Sequence, residues 1–240
     1  MRVILCDNYD QMSKEASKII ASQIYLKPNS VIGFATGSTP VGTYKELISL
    51  YSAGEIDFKD MITFNLDEYY PISRTNDQSY YYFMHENLFD KINVKPENIH
   101  ILNGEAEVAD AECEAYDKKI DEKGGIDLQI LGIGRNGHIG FNEPDKALVT
   151  STHITGLTES TIEANSRFFA DIKDVPTKSL TMGIASIMKA KRIIILANGE
   201  SKKEAVQALL TKDITTECPA TMLKVHPDVI LICDKEAYGK

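Results

Sequence analysis

The sequence predicts an α/β protein: a mostly parallel open sheet with helices on both faces, Rossmann-like but modified. Three observations predict it. Short apolar runs alternate with amphipathic stretches along all 240 residues, and strands alternating with helices build parallel sheets. Hydrophobic residues make up 43% of the chain, enough for a sizeable core. No linker, low-complexity tract or internal repeat interrupts the alternation, so residues 1–240 are expected to form a single domain.

Val3–Cys6 reads as a first strand. Asp10–Ile24 reads as a helix because Met12, Ala16, Ile19, Ile20 and Gln23 recur near helical spacing. Val31–Ala35 is a strand, and the helix Pro40–Tyr51 follows it, opening on Thr39 and Pro40. Met61–Leu66 is a strand and Ser79–Phe89 a helix. Asn98–Leu102 is a short strand, Val108–Asp121 a helix and Ile126–Leu131 a buried strand. Ser151–Ile154 reads as a strand and Thr158–Ser166 as a short helix. Lys191–Ala197, with three consecutive isoleucines, is a central strand. Glu200–Leu210 is a helix, Ala220–Lys224 a helical turn and Val229–Cys233 a last strand.

The formal net charge of −9 argues against a nucleic-acid partner, which rewards basic surfaces. It does not exclude an anionic small molecule, since a few local cations and backbone N–H groups suffice for one phosphate. No apolar run has the length of a membrane span or signal peptide, so a cytoplasmic protein is expected. Cys6, Cys113, Cys218 and Cys233 match no zinc or disulfide spacing and read as reduced, non-catalytic thiols.

Open α/β sheets bind ligands beyond the C-terminal ends of their strands, and three strand ends carry unusual chemistry. After Val31–Ala35, Thr36, Gly37, Ser38 and Thr39 lead into a helix, where free N–H groups and the helix dipole favour an anion. An ordinary helix cap explains that segment equally well. After Met61–Leu66, Asp67 and Glu68 place two acids side by side; one is expected in the cleft, and a polar turn is the plain alternative. After Ile126–Leu131 comes Gly132–Pro144, GIGRNGHIGFNEP. Its GxGxxG matches the dinucleotide fingerprint, but Gly140 and Pro144 argue against the helix that fingerprint requires. The glycines fit better as an approach surface for a substrate, with His138 facing it and Glu143 orienting the imidazole for acid–base work. His85, His100, His153 and His226 lack such surroundings and read as structural or surface residues.

Together, GFATGSTPVGTYKEL, TFNLDEYYPI, SYYYFMHENLF, GIGRNGHIGFNEP and NSRFF resemble the glucosamine-6-phosphate deaminases, also called isomerases. The likeness runs from Gly33 to Phe169, and ANGESKKEAV extends it weakly towards the C-terminus. It implies conversion of D-glucosamine 6-phosphate and water into D-fructose 6-phosphate and ammonia, in amino-sugar catabolism, with no metal or organic cofactor. It also implies roles. Asp67 is the base that moves a proton from C2 to C1. His138 opens the sugar ring, with Glu143 as its partner. Thr36, Gly37, Ser38, Thr39, Arg167 and Lys202, rather than Lys203, bind the phosphate. Some members carry aspartate where this chain has Asn136; the amide is expected to accept from the imidazole without adding charge, shifting the pH profile. Longer members are allosteric hexamers using basic residues that Thr150–Thr155 lacks, so a non-allosteric monomer or small homo-oligomer is expected. Two readings stay open beside this one. A lactone hydrolase of the same fold would make Asp67 dispensable. A sugar-phosphate sensor would need a DNA-binding appendage, for which a first strand at Val3 leaves no room.

Overall fold

The computed structural model describes residues 1–158, 162, 171, 175–211 and 213–240. The chain runs β1 (Arg2–Cys6), α1 (Tyr9–Leu26), β2 (Val31–Phe34), α2 (Ser38–Ser52), β3 (Ile62–Asn65), β4 (Asp67–Tyr70), α3 (Tyr80–Asn87), β5 (Ile99–His100), α4 (Ala109–Glu122) and β6 (Leu128–Gly132). It continues through β7 (His153–Gly156), β8 (Lys178–Thr181), α5 (Ile184–Met188), β9 (Arg192–Ala197), α6 (Lys203–Leu210), β10 (Val229–Asp234) and α7 (Lys235–Tyr238). Among the described residues no helix is long and apolar enough to cross a membrane.

Seven strands form one parallel sheet in the order β1-β10-β9-β6-β2-β3-β5. The apolar runs read from the sequence are these strands, and helices cover both faces. On one face Ile32, Phe34, Ile130, Ile194 and Ile232 pack under Met12 and Ile20 of α1 and Tyr44 and Leu47 of α2. On the other, Phe64, Leu131, Ile193, Ile195 and Leu231 meet Tyr116 and Ile120 of α4 and Val206 and Leu209 of α6. Each such side chain contributes roughly 1.5–3 kcal/mol by leaving water. Helix α1 starts where Asn8 accepts the Gln11 N–H at 3.0 Å. Its buried Met12, Ala16, Ile20 and Ile24 repeat every four residues.

Strand order reverses between β2 and β6. The chain proceeds from β2 outward to β3 and β5, then returns to lay β6 on the other side of β2. The loops after β2 and β6 therefore flank a switch point, where such sheets leave a crevice.

The structure corrects several sequence expectations. Asp67–Tyr70 is neither a turn nor the ragged end of β3. It is a strand of a second, three-stranded antiparallel sheet, β4-β8-β7, paired from Asp67–Thr181 to Tyr70–Lys178. Aspartate and glutamate are poor strand formers, which hid it. Strand β8 and helix α5 were likewise not expected, and the strand expected at Ser151–Ile154 starts two residues later. Helix α2 begins at Ser38, so Pro40 is its third residue; its missing N–H is still one of the four without a helical partner. Most of the helix expected over Thr158–Ser166 lies outside the described residues.

At the opposite edge of the sheet, Asp127 locks the starts of three central strands. Buried to 5% exposure, it accepts the Val31 N–H at 2.8 Å and pairs with Lys27 at 2.7 Å and Lys191 at 2.8 Å. Asp127→Ala leaves a buried N–H without a partner and is expected to cost about 1–3 kcal/mol, with Asp127→Asn costing less. Urea unfolding checks this; a loss indistinguishable from zero would remove Asp127 as the tie.

Candidate active site

Four neighbouring strands, β9, β6, β2 and β3, end at one edge of the sheet, and their loops meet there. Helix α2 opens beside Gly37, whose φ of 95° suits a residue without a side chain. No side chain caps this helix end. Its first-turn N–H groups, with the positive end of a 15-residue helix, are thus available to an anion. Tyr9 fixes the turn, donating to the Ser38 carbonyl at 3.0 Å and accepting the Gly42 N–H at 2.7 Å. Thr39 donates to Asn198 at 2.9 Å, tying this turn to the loop after β9.

That loop carries Lys202. Burial, and then the positive charge of Arg135, lower its pKa. Arg135 is thus near enough for its charge to act on Lys202, and an anion beside Lys202 would relieve that repulsion. Lys203 points elsewhere: a Cβ on Gly239 would lie 2.8 Å from its Cε, so its stem packs on the C-terminal turn. Sequence reasoning missed Arg135, although it stands within the glycine-rich motif. Arg167 lies outside the described residues.

After β6 the loop forms no helix; Ile139 and Asn142 pair across a tight antiparallel bridge instead. This removes the dinucleotide reading, which needs a helix N-terminus at the third glycine. The glycines are also not simply a surface for a substrate. A Cβ on Gly134 would lie 2.4–2.5 Å from atoms of the His138 ring, so Gly134 makes room for that imidazole. Gly137, with φ of 83°, packs on Cys218. Gly132 alone of the three has open space beside it, with no atom within 4 Å.

His138 Nδ1 lies 3.2 Å from Glu143 Oε2. Asn136 does not accept from the imidazole, contrary to the sequence expectation. Its Nδ2 donates to the same Glu143 oxygen at 2.7 Å, and its Oδ1 accepts the backbone N–H of His138 at 3.2 Å. Asn136, His138 and Glu143 are thus one cluster, converging on a carboxylate oxygen. Phe141 N–H donates to Thr181 Oγ1 at 3.0 Å and Asn142 Nδ2 donates to the Met182 carbonyl at 2.8 Å, pinning the loop to β8.

Strand β4 lies on the other side of β8 from β7 and delivers Asp67 to this loop. A Cβ on Gly140 would stand 3.6 Å from Asp67 Oδ2 and 2.9 Å from Thr181 Oγ1. Asp67 is 6% exposed; burial, reinforced by the charge of Glu68, pushes its carboxyl up to about 8. Glu68 points away, to the start of α3, so one acid of the pair enters the cleft, as the alternation of a strand requires. Tyr69, Tyr80 and Phe141 form an aromatic wall beside Asp67, with the Tyr80 and Phe141 rings stacked 6.1 Å apart.

The other candidates fall away. His85 pairs with Asp90, His153 contacts the Ser151 carbonyl, and buried His226 meets the Ala190 carbonyl at 2.7 Å. Burial, with Lys119 and Lys123 adding, pushes His100 down to about 4, so it is neutral. All four cysteines are buried, and burial raises their thiol pKa values.

Comparison with known proteins gives consistent results. Residues 7–231 match the family model described as glucosamine-6-phosphate isomerases/6-phosphogluconolactonase. A glucosamine-6-phosphate deaminase of Thermoanaerobacter pseudethanolicus is 56% identical over 237 residues, covering 99% of this chain and 94% of the relative. One from Clostridioides difficile is 55% identical over 240 residues, covering 100% and 96%. The solved structure of a monomeric glucosamine-6-phosphate deaminase superposes with a TM-score of 0.97 at 44% identity, covering 100% of this chain and 99% of that one.

Gly134→Ala tests the placement of the imidazole. The fold is expected to survive, by circular dichroism, while the ring is displaced from Glu143 and turnover falls about 100-fold. A crystal structure with His138 unmoved, or unchanged turnover, would show that Gly134 does not set the ring's position.

Proposed function

The chain belongs to the family of glucosamine-6-phosphate isomerases and 6-phosphogluconolactonases, and we propose how its site performs the deaminase reaction. The enzyme converts D-glucosamine 6-phosphate and water into D-fructose 6-phosphate and ammonia, a step in amino-sugar catabolism. One observation carries the assignment of roles: a buried carboxyl, Asp67, stands against the loop that holds the His138–Glu143 pair.

The phosphate sits on the first-turn N–H groups of α2, from Gly37 to Thr39, with the Thr36, Ser38 and Thr39 hydroxyls, Lys202 and Arg167 around it. Arg167 is assigned from the family motif NSRFF, since its position lies outside the described residues. The sugar then reaches from the end of β2 towards β4. His138 takes the proton of the C1 hydroxyl and delivers one to the ring oxygen, opening the pyranose. Glu143 orients the imidazole and stabilises its cation, and Asn136 holds Glu143. Asp67, once ionised, removes the C2 proton and returns it to C1, while a proton passes from the amino group to the C1 oxygen, leaving an imine at C2. Addition of water to that imine and loss of ammonia give the ketose. These steps are proton transfers and addition–elimination, and they call for no cofactor.

A lactone hydrolase needs no base for a carbon-bound proton, so the buried Asp67 favours the deaminase. The likeness to a monomeric deaminase supports a monomer acting as one domain over residues 1–240. A non-allosteric enzyme is part of the same proposal, as is a cytoplasmic site of action, which suits a phosphorylated substrate.

Asp67→Asn is expected to lower ammonia release by at least about 1,000-fold, with the KM for glucosamine 6-phosphate little changed. Full activity in that variant would remove Asp67 as the base, and hydrolysis of 6-phosphogluconolactone by the wild type would favour the lactonase. Saturation curves are expected to be hyperbolic and unmoved by N-acetylglucosamine 6-phosphate; activation by that ligand would overturn the non-allosteric assignment.

A further inference from the structure

Glu68 has no part in the reaction just described, yet it is the more deeply buried acid of the pair, 1% exposed. Its carboxylate is built into the structure. Oε1 accepts the N–H groups of Tyr69 at 2.9 Å and Tyr80 at 2.8 Å, and Oε2 accepts that of Tyr81 at 2.8 Å. Two of these donors are the first residues of α3, where the helix dipole favours a negative charge. Arg74, which lies 5.2 Å from the Tyr81 ring centre, adds its positive charge. A protonated Glu68 would turn an O–H towards an N–H and lose an acceptor. Burial pushes its carboxyl up to about 7, and the three N–H donors and the Arg74 guanidinium hold it below the value of about 8 that Asp67 reaches.

We propose that Glu68 is a positioning residue for the base: a carboxylate locked onto the start of α3 that carries the negative charge beside Asp67 and joins the base's strand to that helix. The proposal rests on the deaminase reading, which makes Asp67 the base. When two neighbouring carboxyls share a dry site, the proton goes to the one with fewer donors. Here that is Asp67, which faces Gly140 and Thr181. The other titratable groups acting on Asp67 or its loop are Tyr80 from α3, Tyr116 from α4, and His138 and Glu143 on the loop itself. Glu68 is the negative charge that raises the proton affinity of Asp67. A base for a carbon-bound proton gains from this, since a weakly basic carboxylate removes such a proton poorly. The same anchor holds Tyr80, whose ring stacks on Phe141 of the catalytic loop, so the helix, the base and the loop are fixed together.

The pH dependence of kcat/KM tests this. Because Asp67 acts when ionised, activity rises with pH on the acidic limb. Glu68→Gln removes the charge and is expected to move that limb down by about one pH unit, with a lower maximum rate. Glu68→Asp keeps the charge and is expected to leave the limb in place. A Glu68→Gln enzyme that is slower at every pH, with its limb unmoved, would show a merely structural residue. Should that variant fail to fold, carboxyl 13C NMR of the wild type decides. Asp67 is expected to take up its proton at higher pH than Glu68, and the reverse order would overturn the proposal. If the wild type releases no ammonia, the deaminase reading fails, and the order of titration still decides the placement of the charge.

Discussion

Between Asn65 and Asp67 the chain leaves one sheet and enters another, with Leu66 as the sole residue between them. The Leu66 N–H donates to the Phe34 carbonyl of β2 at 3.1 Å, and its own carbonyl accepts the Met182 N–H, just past β8, at 2.8 Å. One residue thus extends the parallel sheet through its N–H and opens the antiparallel one through its carbonyl. The handover fixes the phase of β4. Side chains alternate along a strand, so Asp67 faces the loop after β6 and Glu68 faces α3. It also sets β8 beside β4, which puts the Thr181 hydroxyl where it captures the Phe141 N–H. A slip of one residue here would exchange the two acids. The handover has a cost: Asn65 is fully buried, and neither polar atom of its side chain has a partner among the described residues. Buried unpartnered amides are unfavourable, and one next to a catalytic strand fits the pattern that local rules are broken near functional sites.

The sheet also orders the charges. Arg135, Lys202 and the open end of α2 follow β6, β9 and β2, while Asp67 and Glu68 follow β3, the next strand over. The cationic strand ends and the acidic one are therefore neighbours along the sheet, about 4.8 Å apart per strand, and the His138 loop, after β6, lies between the ends of β9 and β2. On the proposed roles, the phosphate groups come from β9 and β2, the ring-opening histidine from β6 and the base from just beyond β3, so four adjacent strand ends serve one sugar. A chain with a net charge of −9 can still hold an anionic substrate, because a few cations and free N–H groups at these ends suffice for one phosphate.

The sheet was legible in the sequence because central parallel strands are buried on both faces and read as apolar runs. The second sheet was not, since Asp67–Tyr70 and Lys178–Thr181 carry polar residues that resemble turns. Residue types with obvious chemistry, such as His138, Glu143 and Asp67, stood out. What they touch did not. Whether Gly134 faces a ligand or an imidazole depends on where a ring five residues along the chain folds back, and spacing cannot say. The choice between Lys202 and Lys203 likewise turned on the C-terminal turn at Gly239, far along the chain. Arg135 reads as a plain loop residue in the sequence, and its charge acts on Lys202 only because β6 and β9 are neighbours in the sheet.

Asn136 shows what such contacts change. Only one orientation of its amide serves both neighbours: Nδ2 towards the Glu143 carboxylate and Oδ1 towards the His138 N–H. An aspartate at this position has no donor to offer Glu143 and would set two carboxylates against each other. The asparagine instead donates to the oxygen that the imidazole also addresses. That donation satisfies part of Glu143's accepting capacity. Ring opening asks the same histidine to take up a proton and then release it. A partner that stabilised the cation too strongly would slow the release, and one that stabilised it too little would slow the uptake. On the proposed roles, Asn136 acts on His138 through Glu143, by holding the carboxylate the imidazole addresses, and not as a weaker substitute for a second acid.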